Sequence, residues 1–140
     1  MSYRPAALAA AVAASLAIAG CGSESPPKGK ATIRVTERDF RISVPKRLPA
    51  GENLLAVRNK GPVRHELIVI RKRDGELPMR RDGLTVDEDA VEPLEADALE
   101  PGTSGQTRSL RVSLRPGKYE FICNMAGHYL GGMEKDVVVG

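Results

Sequence analysis

From Ala31 onward the sequence is written in short runs that alternate apolar and polar residues, each closed by glycine or proline. TIRVTE and DFRISV come first, and a period of two puts Phe40, Ile42 and Val44 on one face. NLLAVRN follows LPAG and ends at Gly61-Pro62. HELIVIRK is strongly apolar and β-branched, the pattern of a central strand. SLRVSL aligns Leu110, Val112 and Leu114, KYEFIC follows a turn at Pro116-Gly117, and EKDVVVG closes the chain. Short strands separated by Gly/Pro turns predict an all-β fold, an antiparallel sandwich or barrel. The chain has no tryptophan, so valine, isoleucine and leucine must supply most of the core.

Residues 73–105 carry no strong strand pattern. From Asp82 to Glu100 there are eight carboxylates and no basic residue. The expected structure is an acidic loop or a short helix around VDEDAVEPLEADAL, interrupted by Pro93. Such a run serves either as a solvated loop or as a docking site for a basic partner such as a cytochrome. Its spacing does not fit an EF-hand calcium loop.

The first twenty residues, MSYRPAALAAAVAASLAIAG, hold one arginine and an alanine-rich apolar run, the charge and length of a secretory signal. IAGC, ending at Cys21, resembles the lipobox of bacterial lipoproteins, which implies cleavage before Cys21 and lipid on its thiol. A plain signal peptide with an incidental cysteine is the alternative. Residues 21–30 are rich in proline, glycine and serine and read as a flexible tether, roughly 30 Å long at about 3.3 Å per residue. The expected organisation is thus 1–20 signal, 21–30 tether and 31–140 one domain, exported and held on the extracytoplasmic side of a membrane. A lipidated Cys21 leaves Cys123 without a disulfide partner, so that cysteine needs another role.

CNMAGHYLGGM, from Cys123 to Met133, suggests one. A chain with two cysteines and two histidines gathers Cys123, His128 and Met133 at five-residue intervals. Thiolate, imidazole and thioether form a soft-to-borderline donor set, and two histidines, one cysteine and a weak axial methionine are the ligands of blue-copper electron-transfer centres. The second histidine can only be His65, at the head of HELIVIRK. The candidate metal ligands are therefore His65, Cys123, His128 and Met133, holding one copper ion that cycles between Cu(I) and Cu(II). Taken singly, each residue has a plainer reading: Cys123 and Met133 as core filler, His128 as a surface residue, His65 as a strand cap. Met125 reads as packing around the site, and Ala126, Tyr129 and Leu130 as an apolar patch around His128. Gly127, Gly131 and Gly132 let the loop fold tightly.

YEFICNMAGHYLGGM, with the separate HEL at 65–67, resembles the cupredoxins of the small bacterial, sulfocyanin-like or rusticyanin-like kind, more than the plastocyanin-like kind. The resemblance implies a Greek-key β-sandwich and one type 1 copper. It also implies that the backbone N–H at Glu66, where many cupredoxins have asparagine, donates to the cysteine sulfur.

The function this reading predicts is a monomeric one-electron carrier serving a redox partner protein of cytochrome or oxidase type. The alternative is a copper-binding module for storage or delivery. An enzyme would need further copper centres built from histidine, and both histidines are already assigned. A net charge of +3 with no basic run interleaved with aromatics argues against nucleic acid.

Overall fold

The computed structural model describes residues 32–140. The signal, tether and lipid-attachment expectations at 1–31, Cys21 included, lie outside the described residues.

Among the described residues nine strands form two sheets packed face to face. β1 (Ile33–Arg38), β2 (Arg41–Ser43), β4 (Gly51–Asn59) and β7 (Thr107–Leu114) make sheet A, in the order β2-β1-β4-β7. β3 (Arg47–Leu48), β5 (His65–Arg71), β6 (Glu95–Gly102), β8 (Gly117–Ile122) and β9 (Glu134–Val139) make sheet B, in the order β3-β9-β8-β5-β6. The sequence predicts antiparallel pairing throughout, but both sheets are mixed: β1 runs parallel to β4, and β3 parallel to β9. Alternation fixes which face a strand buries and leaves its partner's direction open, so this feature had no signature in the pattern.

The inward rows follow from the alternation. Val35 on β1, Leu55 and Val57 on β4, Leu110, Val112 and Leu114 on β7 meet Leu67 and Val69 on β5 and Phe121 on β8 in the inter-sheet core. β5 buries four consecutive apolar residues, Leu67, Ile68, Val69 and Ile70. Its outer residues, Ile68 and Ile70, are covered by Leu77, Val86 and Val91 from the 73–94 segment, which explains the continuous apolar run.

That segment contains α1 (Glu88–Val91) and a 3₁₀ turn at Glu92–Leu94, with Pro93 at its start, where the missing N–H costs nothing. Beyond it, residues 95–102 form β6, an edge strand antiparallel to β5, where the sequence shows no strand pattern. An edge strand buries little, so Glu95, Asp97 and Glu100 replace the apolar row, and edge charges oppose pairing with another chain. A second difference lies at DFRISV. Only Arg41–Ser43 is strand; Phe40 leaves the face of Ile42 and sits exposed in the β1–β2 turn with φ 57°.

Two polar features tie the sheets at depth. Arg108 on β7 reaches the fully buried Glu37 of β1 at 2.5 Å and also donates to the Glu100 carbonyl. Tyr119 bonds back to the backbone of Arg115, donating to its carbonyl at 3.1 Å and accepting from its N–H at 3.2 Å, a tyrosine corner. Among the described residues no helix is long and apolar enough to cross a membrane.

Candidate metal centre

β5 pairs with β8 in the register Ile68↔Ile122, so the start of β5 lies beside the end of β8. His65 heads β5, and Cys123 directly follows β8. Residues 124–132 then loop out, and Met133 directly precedes β9. The loop is closed by backbone bonds: Cys123 N–H to Met133 O at 3.1 Å, and Met133 N–H to His128 O at 3.0 Å. Gly127 and Gly132 take φ values of 78° and 88°, which a side chain would resist, so the loop can return within ten residues.

The result is a triangle of donor atoms. His65 Nδ1 lies 3.3 Å from His128 Nδ1, and Cys123 Sγ lies 3.5 Å from His128 Nδ1 and 3.9 Å from His65 Nδ1. Among the described residues it is the one group of three or more His, Cys, Asp or Glu whose donor atoms all lie within 4.8 Å of one another. The point equidistant from the three atoms is about 2.1 Å from each, inside the roughly 2.0–2.3 Å span of nitrogen and thiolate bonds to a first-row ion such as zinc. His65 and Cys123 are fully buried, and His128 is half-buried. Met133 is fully buried in the same core cluster as Cys123, and Met125 packs half-buried against that cluster.

The electrostatics suit a cation. Burial pushes the Cys123 thiol up to about 11, helped by the Glu66 and Glu37 charges and opposed by the backbone N–H groups of Glu66 and Met125. The Glu66 backbone thus lies where the cupredoxin resemblance places a donor to sulfur. Burial, then the proximity of His128, lowers the pKa of His65, which keeps its ring neutral at pH 7. A neutral imidazole and a thiol that needs a positive neighbour to ionise are the free forms of metal ligands, and binding would release the thiol proton.

Several residues that shape the site have no motif around them. Asp39 accepts from His65 Nε2 at 3.1 Å. Asn59 Nδ2 donates to Val63 O at 2.7 Å and Gly102 O at 3.0 Å, while its Oδ1 accepts from Gly61 N–H, fixing the loop that delivers His65. Asn124 Oδ1 accepts from Val86 N–H at 2.6 Å and its Nδ2 donates to Val86 O and the Glu88 carboxylate, pinning the 84–88 segment to the loop. The one available signal was asparagine inside apolar runs, where a buried amide must find backbone partners.

The surface differs from the expected Ala126–Tyr129–Leu130 patch. Ala126 and Leu130 are exposed, but Tyr129 is half-buried and donates to Glu120 Oε1 at 3.2 Å. Phe40, Val63 and Leu84 are exposed instead, at 54, 46 and 49 %. Phe40 meets the His128 ring edge-on at 5.6 Å between centroids, and the Leu84 carbonyl accepts from Gly127 N–H.

No family model matches the chain, and no curated protein matches it. Solved structures do. Auracyanin A, described as a "blue" copper protein from the green thermophilic photosynthetic bacterium Chloroflexus aurantiacus, is 19% identical; the match covers 80% of this chain and 100% of that one, with a TM-score of 0.61. A dithionite-reduced auracyanin from Roseiflexus castenholzii is 17% identical over 79% of this chain and 98% of that one, TM-score 0.58. Reduced rusticyanin is 16% identical over 80% of this chain and 81% of that one, TM-score 0.57. At these identities the likeness establishes the fold, and the fold is that of the cupredoxins.

Proposed function

We propose that the chain is a one-electron carrier in which His65, Cys123 and His128 would hold a single copper ion, with the buried Met133 as a further sulfur donor. The observation that carries this reading is the donor triangle, whose three atoms stand about 2.1 Å from a common point. Copper would supply a reversible one-electron change. The chain's own residues supply the rest. Strands β5 and β8 hold two of the donors on a rigid sheet, so the ligands need not rearrange between oxidation states. Burial of Cys123 and Met133 keeps water from the sulfurs. His128 is the one donor with outward access, and exposed Phe40 and Leu130 give a redox partner an apolar surface near it. The auracyanin and rusticyanin likeness in fold supports the same reading.

A closed site with one thiolate favours a carrier over a storage or delivery module, which needs an open site for metal exchange. It also favours a carrier over a catalyst, since neither histidine is left to build a second centre. The proposed setting is extracytoplasmic, with the domain tethered by lipid on Cys21 and serving a partner of cytochrome or oxidase type.

The test is to add Cu(II) to the purified chain and record its absorption and EPR spectra beside those of Cys123→Ser. The reading expects an intense blue charge-transfer band at one equivalent, absent from the variant. A colourless wild-type complex, or a band that survives in the serine variant, contradicts it. Rapid loss of copper to a chelator would favour delivery instead.

A further inference from the structure

All four candidate ligands stand on or beside the strands of sheet B, yet both imidazoles are touched by a corner of sheet A. We propose that this corner, Asp39–Phe40 between β1 and β2, is the positioning element of the site: Asp39 holds His65 through Nε2, and Phe40 holds the ring of His128. The inference rests on the reading of both histidines as ligands.

A carboxylate can only accept, so the 3.1 Å contact places a proton on His65 Nε2 and leaves the Nδ1 lone pair facing Cys123 and His128. A carboxylate behind a histidine fixes its tautomer and raises its basicity as a ligand. The chain keeps room for this contact: a Cβ on Gly61 would come within 2.6 Å of His65 Nε2 and 2.8 Å of Asp39 Oδ1.

Phe40 is the other half. It is the one non-glycine residue among those described with a positive φ, 57°, a conformation that a bulky side chain resists. The residue is 54 % exposed, so burial does not offset that strain. What the conformation achieves is placement: the ring lies over Gly131 and meets His128 edge-on. Gly131 has no side chain to block it, since a Cβ there would collide with the Phe40 ring. Backbone strain kept at an exposed aromatic beside a candidate ligand points to a role in the site.

The first measurement needs no copper. In the metal-free wild-type chain, ¹⁵N NMR of the histidine rings should find His65 protonated on Nε2 and bare on Nδ1, and Asp39→Ala should populate both tautomers. In the copper-loaded chain, Asp39→Asn keeps an acceptor but removes the charge that favours the oxidised ion. The ratio of Cu(II) to Cu(I) affinity should fall about tenfold, a rise of about 59 mV in a one-electron potential. Phe40→Gly suits the backbone and should leave the melting temperature unchanged or higher, while the His128 ring resonances broaden. The proposal is overturned if wild-type His65 carries its proton on Nδ1, or if Asp39→Asn and Asp39→Ala both leave the affinity ratio within twofold of wild type. A wild-type chain that takes up no Cu(II) would defeat the carrier reading alone, and the ring measurement would still decide the role of Asp39.

Discussion

Sheet A buries one row of side chains and exposes the other along β1, β4 and β7, and its outward row is polar or small over most of its length. The central strands of sheet B do not keep to this rule. β5 buries four consecutive residues because the 73–94 segment covers its outer face, and β8 ends in an equally buried Phe121 and Ile122, followed by the buried Cys123. Every candidate ligand belongs to sheet B or the loop between its strands. The difference separates two tasks. Sheet A is a stabilising layer whose pattern follows from solvent on one side, and the centre of sheet B, β5 and β8, is buried on both faces, so that a dry pocket at its end can hold sulfur and imidazole. If that division is right, substitutions in the two sheets should be separable by what they change.

The largest expected effect is on the ligand side. His128→Ala removes the half-buried corner of the triangle, and Cu(II) affinity should fall by about 100-fold or more. The metal-free chain should unfold within about 1 kcal/mol of wild type, as expected of a partly exposed residue. Competition against a chelator and urea denaturation measure the two halves; a large loss of stability with little loss of affinity would break the division.

Next comes the buried pair of sheet A. Arg108→Met leaves Glu37 unpaired in the interior and should cost about 3–5 kcal/mol in urea unfolding, much of which Glu37→Leu in the same chain should recover. A Leu55→Ala cavity should cost about 3 kcal/mol. In both cases the folded fraction should bind copper with an unchanged spectrum. A shifted band from Leu55→Ala would show that the layers are coupled more tightly than the division allows.

The smallest effect is in pH dependence. Burial, and then the neighbouring Glu134, push the Glu120 carboxyl up to about 7 from an ordinary 4.5. The folded chain therefore keeps a proton that the unfolded chain has already lost, so this residue makes stability fall as pH rises from about 4.5 to about 7. Glu120→Gln should remove that fall, seen as a smaller difference between urea midpoints at about pH 5 and about pH 8. An undiminished difference would place the effect elsewhere.

What the sequence shows of this molecule follows from the same contrast. The period-two rows of β1, β4, β7 and β9 are legible because each strand meets water on one side. The Cys-x₄-His-x₄-Met spacing is legible because it is local, and His65 because it is the only other histidine. β6 is hidden by its carboxylates, which suit an edge. Phe40 is misread because DFR alternates correctly while the backbone turns left-handed. Asp39, Asn59 and Asn124 act on partners 26, 43 and 38 residues away, and no local pattern encodes such distances. Local periodicity carries the layers, while the polar contacts that aim the ligands depend on topology.

The central claim is a donor set already in place for one ion. Copper K-edge X-ray absorption on the loaded chain in both oxidation states tests it most directly. One sulfur and two nitrogen neighbours at about 2.0–2.3 Å, changing by no more than about 0.1 Å on reduction, are the expected result. A coordination shell of nitrogen and oxygen alone, or one that gains or loses the sulfur between the two states, would contradict it.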